Sequence, residues 1–507
     1  MSTLPPLSGV PHVIVAGAGS GGLAAALAAY EAGATVSVYE AGEQCDVGGN
    51  ARYSGGLFLF AHDGSADVLP LLAEPPSRVV VEPYPPEAFA RTVAGMSGGA
   101  ADPALVAALV GDSLPTMRWL YGCGVRFRLP SDVFGPYVRE GTTVVPSGPA
   151  LEAAAGGPGL VQDLQDAVLG RGIALHLESP VADLMWSDRR VRGVILGDGS
   201  ERAADAVVLA SGGFEASAEL RAKYLGPEWA RVKVRGTRHN TGVLLEAAFA
   251  RGAGAAGDMG ACHSISVDAF ARNPPGHGVP TPPRMSRGFR FGIVVNAGGQ
   301  RFFDEGADLW TRIYSKMGRA ILDQPGAIAF HLFDDKVRDR VLGAVPGVAP
   351  VEGDTIEEVA AAAGIDGTAL AEHVRAYNDA AAGNPAADFD RLDGNSTRGL
   401  TPPKSNWAMP LDTPPFLLYA ANCAVTFTHG GLRVDPQARV LDGNGAPLAG
   451  VYAVGEITGG LFFGNYPGGS SLMRSTVFGR RAGAAAVSDL GPSRPGTGAS
   501  PAAPPVA

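Results

Sequence analysis

Apolar and polar positions first organise into a clear unit near the start of the chain. Val13 to Ala16 are four consecutive apolar residues, the pattern of a strand buried on both faces, and they run through Gly17-Ala18-Gly19-Ser20-Gly21-Gly22 into an alanine-rich helical stretch. A turn at Gly33 leads to a second strand, Thr35 to Tyr39, closed by Glu40. In this arrangement the first glycine permits the tight turn, the second lets the backbone approach a pyrophosphate, and the third lets helix and strand pack closely. The pyrophosphate sits on N–H groups at the helix start. Glu40 falls roughly 20 residues past the glycines, where a carboxylate accepts hydrogen bonds from a ribose.

Further along, the periodicity changes. Val181 to Trp186, Val191 to Leu196 and Ala204 to Leu209 are short strand-like runs separated by Asp188-Arg189-Arg190 and Gly197-Asp198-Gly199, which predicts a meander. Its last strand ends in Ala210-Ser211-Gly212-Gly213, small residues that allow a ligand to approach. Gly48 to Gly56 reads as an irregular loop whose Asn50 and Ser54 offer short polar side chains to a flat or charged partner. Val68 to Glu152 is rich in proline and helix-like segments and yields no chemistry; Tyr53, Tyr121 and Tyr137 suit either core or pocket. From Asp258 to Pro410 the pattern is less regular, with a helical stretch around Ile356 to Ala382, and predicts an inserted second domain. Asn422 to Gly431 then leads through a hairpin to Gly450–Gly483, which returns to the strand, glycine, helix order of the opening, and a tail after Leu490 rich in Pro, Gly, Ser and Ala reads as disordered. No internal repeat is visible.

Composition narrows the classes. Hydrophobic residues make up 46% and charged residues 18% of 507, which predicts a globular chain with a large core. A net charge of −10 gives no basic footprint for nucleic acid or an anionic membrane. Cys45, Cys123, Cys262 and Cys423 have no paired spacing, so neither a disulfide framework nor a zinc or iron–sulfur site is expected, and a reducing cytoplasm fits. The first residues lack a basic stretch, and no export signal or membrane span is expected. Glycine accounts for 71 residues, so the glycine spacing alone would be a weak signal. With a strand before it, a helix after it and an acid at the right offset, it predicts a dinucleotide site.

Taken together these segments resemble the fumarate reductase and succinate dehydrogenase flavoprotein superfamily over Val13 to Gly483. The likeness rests on GAGSGG with Glu40, GGNARYSGG, LASGGF ending at Phe214, NTG from Asn240 to Gly242, QRFFDE from Gln300 to Glu305, and VGEITGG with NYPGGSSL. Within the superfamily the chain is most similar to tricarballylate dehydrogenase-like enzymes, and next to 3-ketosteroid dehydrogenases. The resemblance implies an α/β fold: a discontinuous Rossmann-like FAD-binding domain, residues 1–257 and 411–490, with an inserted α+β capping or substrate domain, 258–410, and a tail, 491–507.

By carry-over, Gly17, Gly19, Ser20, Gly21 and Gly22 hold the pyrophosphate, Glu40 with Ala41 the adenosine ribose, and Val181 the adenine. Gly49, Asn50, Ser54, Gly55 and Gly56, with Ala210, Ser211 and Gly212, lie along the phosphates and flavin. Gly455 and Glu456 serve the ribityl or ribose side, and Ser470, Ser471 and Leu472 face the flavin pyrimidine from a helix start, where the dipole favours the negative charge of reduced flavin. The loop at Gly48 to Gly56 contains no His, so non-covalent FAD is implied.

The implied reaction moves a hydride between flavin N5 and a carbon of a C–C or C=C bond beside a carbonyl or carboxylate, in either direction. Arg312 lies near where the superfamily places its proton-delivering Arg. Tyr466 sits where fumarate reductases place a carboxylate-binding Arg and ketosteroid dehydrogenases a Tyr that holds a carbonyl oxygen, so fumarate and succinate are disfavoured. His263 resembles a substrate-binding His of the cap; His429 is one step from a conventional ligand position, and Phe427 occupies the His site of fumarate reductases. Trp310, Phe462 and Phe463 imply an apolar pocket. The ketosteroid base, a Tyr, is met here by Leu309 or Trp310, which argues against that reaction. The implied partners are a small-molecule substrate and a separate electron donor or acceptor. A ketosteroid-type enone enzyme, a simple NAD dehydrogenase and a non-catalytic flavin-binding protein remain alternatives.

Overall fold

A computed structural model describes residues 9–490 apart from 75, 131–135, 188–189, 272–284, 286–287, 346 and 390. The opening unit forms strand His12–Ala16, helix Ser20–Glu31 and strand Thr35–Tyr39. Strand His12–Ala16 lies at the centre of a parallel sheet, between Thr35–Tyr39 and Ala206–Leu209. Ala174–His176 extends the sheet beyond the former and Pro447–Ala453 beyond the latter. Val13, Ile14 and Val15 have no exposed surface, as an uninterrupted apolar run requires when both faces of a strand are covered. All five strands run the same way, so the residues that follow them, Gly17, Glu40, Ala210 and Val454, meet along one edge, where open α/β sheets bind ligands. Helix Ser470–Ser488 lies over Ser20–Glu31, and small residues make this possible: a Cβ on Gly479 would stand 2.4 Å from the Gly21 carbonyl oxygen.

The expected meander is partly different. Val181–Ser187 and Arg190–Leu196 pair antiparallel, but the third member is the short strand Glu201–Ala203. Ala206–Leu209 returns to the parallel sheet, which its four buried apolar residues fit better than a half-exposed position would. Asp188 and Arg189 lie outside the described residues, as does the expected tail. The Gly48–Gly56 stretch is not wholly irregular either: Gly48, at φ 111°, leads into one helical turn, Gly49–Arg52. The helical stretch at 356–382 is two helices, Ile356–Ala363 and Gly367–Ala381, parted at Gly364 and each capped by a side chain, Thr355 and Asp366.

A second sheet is built around the strand Phe416–Thr428, which pairs with Cys262–Asp268, Ile328–Phe333, Val351–Gly353 and Lys233–Val234, while Ile293–Asn296 adds beyond Ile328–Phe333. Lys233–Val234 and Phe416–Thr428 both fall outside 258–410, so this sheet draws strands from either flank of that segment. One end of the long strand, Leu417 to Ala421, packs with Phe333 and Trp407; the other, Cys423 to Phe427, joins the core of the parallel sheet. Helix Trp310–Leu322 packs on strand Cys262–Asp268, where a Cβ on Gly318 would lie 2.6 Å from the Ile265 nitrogen. The side chains of Trp310 and Thr311 lie outside the described residues.

Candidate functional site

The C-terminal edge of the parallel sheet opens into a cavity of about 380 Å³. Gly17, Gly19, Ser20, Gly21, Gly22, Glu40 and Ala41 line it. At Gly17, with φ +111°, a Cβ would lie 2.4 Å from the Ala210 carbonyl oxygen, and at Gly22 it would lie 2.0 Å from that of Gly17, so neither position accepts a larger residue. Gly19 is the opposite case, since a Cβ there meets only the Gly48 oxygen, at 3.8 Å, and the backbone faces open space. Neither helix Ser20–Glu31 nor helix Ser470–Ser488 has a side-chain cap, which leaves N–H groups of the first turn for an outside acceptor. Glu40 is buried, which raises its carboxyl above the usual range, against the pull of hydrogen bonds accepted from the Gly42 and Ala18 amides at 2.8 and 2.7 Å. Those bonds fix its direction and leave each oxygen a further lone pair.

Remote segments supply the remaining walls. Gly49, Asn50, Ser54 and Gly55, then Val181, then Ala210, Ser211 and Gly212, and finally Gly455, Glu456, Ser471 and Leu472 all line the same cavity, with Tyr53 beside them. Two expected neighbours do not. Gly56 packs backbone to backbone on Gly156, and Ser470 is fully buried, its Oγ donating to the Pro467 carbonyl at 2.5 Å. Tyr121 is half-buried and Tyr137 exposed.

An aromatic group completes the cavity. Tyr466, His263, Phe427 and Ile265 line it, joined by Tyr314. The hydroxyls of Tyr314 and Tyr466 are hydrogen-bonded at 2.9 Å. The ring of His263 stands edge-on to both, at 5.1 Å from Tyr314 and 4.8 Å from Tyr466. Phe462 backs Tyr466 at 5.7 Å. Behind Phe427 the side chain of His429 is fully buried, and among the described residues neither ring nitrogen has a partner; burial and the nearby Arg474 lower its pKa to about 3, so it is neutral. Arg474 itself lines the cavity and stacks on Phe462, and burial lowers its guanidinium to about 10.

Arg312 is not brought to this group. Its side chain is 61% exposed and pairs with Asp308 at 3.5 Å, and it does not line the cavity. The reason is helical phase. At about 100° per residue, Arg312 and Tyr314 point to nearly opposite sides of helix Trp310–Leu322. Ile313, Met317 and Ile321 are buried, while Arg312, Lys316 and Arg319 are on the solvent side. That apolar spacing is the signal for Tyr314, and a reading by motif distance passes over it. A tyrosine is therefore present in the cavity although positions 309 and 310 hold Leu and Trp.

Fold and cavity together define a dinucleotide-binding protein with a second sheet beside its cofactor site. The sequence profile of the FAD binding domain matches residues 12–472, and the chain belongs to that family. It is 30% identical over 495 residues to a fumarate reductase (cytochrome) of Shewanella frigidimarina, covering 94% of this chain and 78% of that protein. It is 28% identical over 360 residues to a 3-oxosteroid 1-dehydrogenase of Mycobacterium tuberculosis, covering 64% of this chain and 61% of that protein. The open conformation of a flavocytochrome c3 fumarate reductase superposes with a TM-score of 0.72 at 25% identity, covering 95% of this chain and 78% of that one. The protein is an FAD-dependent oxidoreductase of the fumarate reductase and ketosteroid dehydrogenase type. The residues present fit FAD: two uncapped helix starts, a backbone opened at Gly19 and a directed carboxylate at Glu40 converge on one space. Among the described residues no helix is long and apolar enough to cross a membrane.

Proposed function

We propose that the protein forms or reduces a carbon–carbon double bond beside a carbonyl, with Tyr466 holding the carbonyl oxygen and Tyr314 exchanging the proton. FAD, when bound, supplies the hydride acceptor or donor. The observation that carries this reading is the 2.9 Å contact between the two tyrosine hydroxyls inside the cavity. Charge builds on the carbonyl oxygen in the transition state, and a fixed hydroxyl donor aimed at it stabilises that charge. A second hydroxyl within hydrogen-bond reach of the first can pass the proton to or from the neighbouring carbon. His263, packed against both rings, holds them in place, and Phe427 and Phe462 keep water from the reacting carbons.

The cavity residues named for the cofactor keep their proposed roles, except that Gly56 and Ser470 act by packing. FAD is held without a covalent bond, in keeping with a Gly48–Gly56 segment free of His. Residues 258–410 serve as the cap: Tyr314 and Ser315 reach across to Tyr466 and Asn465, the latter pair at 2.7 Å. Arg312 has no part in the proton step. A separate electron donor or acceptor completes the cycle, and four cysteines scattered through the sequence suit a cytoplasmic setting. A substrate bearing a carboxylate is a second reading, favoured by Arg235 and Arg474 on the cavity wall.

Anaerobic mixing with saturated ketones, enones and carboxylates tests the proposal. A saturated ketone should bleach the oxidised flavin, or an enone should reoxidise the reduced one. Reaction with carboxylates alone would favour the second reading, and reaction with none of the three would end both.

A further inference from the structure

Two carboxylates are buried side by side against the cofactor cavity, and among the described residues no cation answers them directly. Glu215 has no exposed surface and Glu456 is 9% exposed. Asn50 Nδ2 donates to Glu215 Oε1 at 2.7 Å and to Glu456 Oε2 at 2.9 Å, and Asn240 Nδ2 donates to the same two oxygens at 2.7 and 3.3 Å. Two donors shared between the same two acceptors hold those oxygens face to face. The other pair also converges, since a Cβ on Gly213 would lie 2.3 Å from Glu456 Oε1 and 2.9 Å from Glu215 Oε2. Glu456 Oε1 accepts from the Thr428 amide at 2.9 Å, whereas Glu215 Oε2 meets no donor among the described residues.

The surrounding charges do not neutralise the pair. Arg221, on helix Ala218–Tyr224, spends its guanidinium on the carbonyls of Glu215, Trp229, Ala230 and Val232. Arg474, on helix Ser470–Ser488, lies near Glu456, but its Nε and Nη2 make no hydrogen bond among the described residues. Cys262, on strand Cys262–Asp268, is a thiol that burial pushes well up, and His429 is neutral. Two like charges this close in a buried site do not both ionise at neutral pH. Burial, then the facing Glu456, push the Glu215 carboxyl well above the usual range.

Resting on the assignment of this cavity to FAD, we propose that Glu215 and Glu456 share a single proton, and that protonated Glu215 is a positioning residue that holds ionised Glu456 toward the hydroxyls of the cofactor. Glu456 lines the cavity and Glu215 does not, so the division of labour follows the geometry. An anionic acceptor makes the stronger hydrogen bond to a hydroxyl. Loss of the shared proton sets two charges against each other and displaces Glu456.

The pH dependence has a definite sign. An unfolded glutamate is ionised above about pH 4.3, whereas the native pair keeps its proton to higher pH, so the wild type loses stability as pH rises through that window. Glu215→Gln carries no such proton. Its melting temperature should gain on the wild type between about pH 5 and pH 8, it should bind FAD within about threefold of wild type at pH 6, and it should lack a protonated-carboxyl infrared band that the wild type shows. Glu456→Gln should weaken FAD binding by about tenfold or more. A Glu215→Gln variant that loses ground to wild type as pH rises, or a wild-type spectrum without a buried carboxylic acid band, would overturn the proposal. Should Glu215→Gln not fold, the wild-type infrared band alone decides. If the purified protein carries no FAD, the cofactor assignment fails, while the infrared and melting measurements still judge the shared proton.

Discussion

Tyr466→Phe is the sharpest single perturbation of the proposed chemistry. The substitution removes one hydroxyl and keeps the ring, which packs edge-on against His263 and Phe427 at 4.8 Å and against Phe462 at 5.7 Å. Fold and cofactor content should therefore persist. What disappears is the donor to the carbonyl oxygen and the 2.9 Å partner of the Tyr314 hydroxyl. Loss of one such donor costs about 2.7–4 kcal/mol in the transition state, or about 100- to 1000-fold in kcat. Tyr314→Phe should cost about 100-fold or more through the proton step. Because the hydroxyls act as a unit, the double substitution should cost little more than the worse single one. Rapid-mixing measurement of flavin reduction by a ketone, with flavin content and melting temperature as controls, reads these effects. A Tyr466→Phe protein that keeps its flavin and loses less than about tenfold in rate would show that the hydroxyl does not hold the reacting oxygen.

Other outcomes follow from the same structure. Arg312→Ala should change kcat by less than about threefold, because its side chain is exposed and its ion pair among the described residues is with Asp308 alone; a loss above about 100-fold would return it to the proton step. Arg301 and Glu305 form a fully buried ion pair, and Arg301→Leu should destabilise the protein by about 3–5 kcal/mol in denaturant titration, since the buried Glu305 carboxylate then loses its directly paired cation. Lys404 is also buried, donating to the Arg290 and Gly292 carbonyls, and burial lowers its pKa to about 8. An unfolded lysine titrates near 10.4, so the native state gives up its proton first and stability rises from about pH 8 to about pH 10. Wild type should therefore gain on Lys404→Met across that range, and a constant difference would contradict it.

The cofactor loops can be read from the chain because each is a local pattern. Gly17 to Glu40 encodes its strand, turn and helix within one stretch, and the close approaches at Gly17 and Gly22 are those their spacing implies. Ala206–Leu209 is misplaced by pattern alone because an apolar run of four suits a meander edge and a parallel core equally, and only burial on both faces separates them. Tyr314 escapes a reading by motif distance: Arg312 stands nearest the expected slot, while the helical phase of Ile313, Met317 and Ile321 points elsewhere. Asn50, Asn240 and Glu456 each sit in a local motif, but the meeting of Glu456 with Glu215 has no local signature. The four residues come from segments far apart in the chain, and only the meeting of the two sheets with the glycine turns brings the two carboxylates together.

The most direct test of the central claim is a crystal structure of the FAD-loaded protein with a ketone or enone bound. The tyrosine account predicts the Tyr466 hydroxyl about 3 Å from the carbonyl oxygen and the Tyr314 hydroxyl beside the adjacent carbon, both over the flavin ring. A substrate oxygen held by Arg235 or Arg474 instead, with the tyrosine pair turned away from the ring, would contradict it.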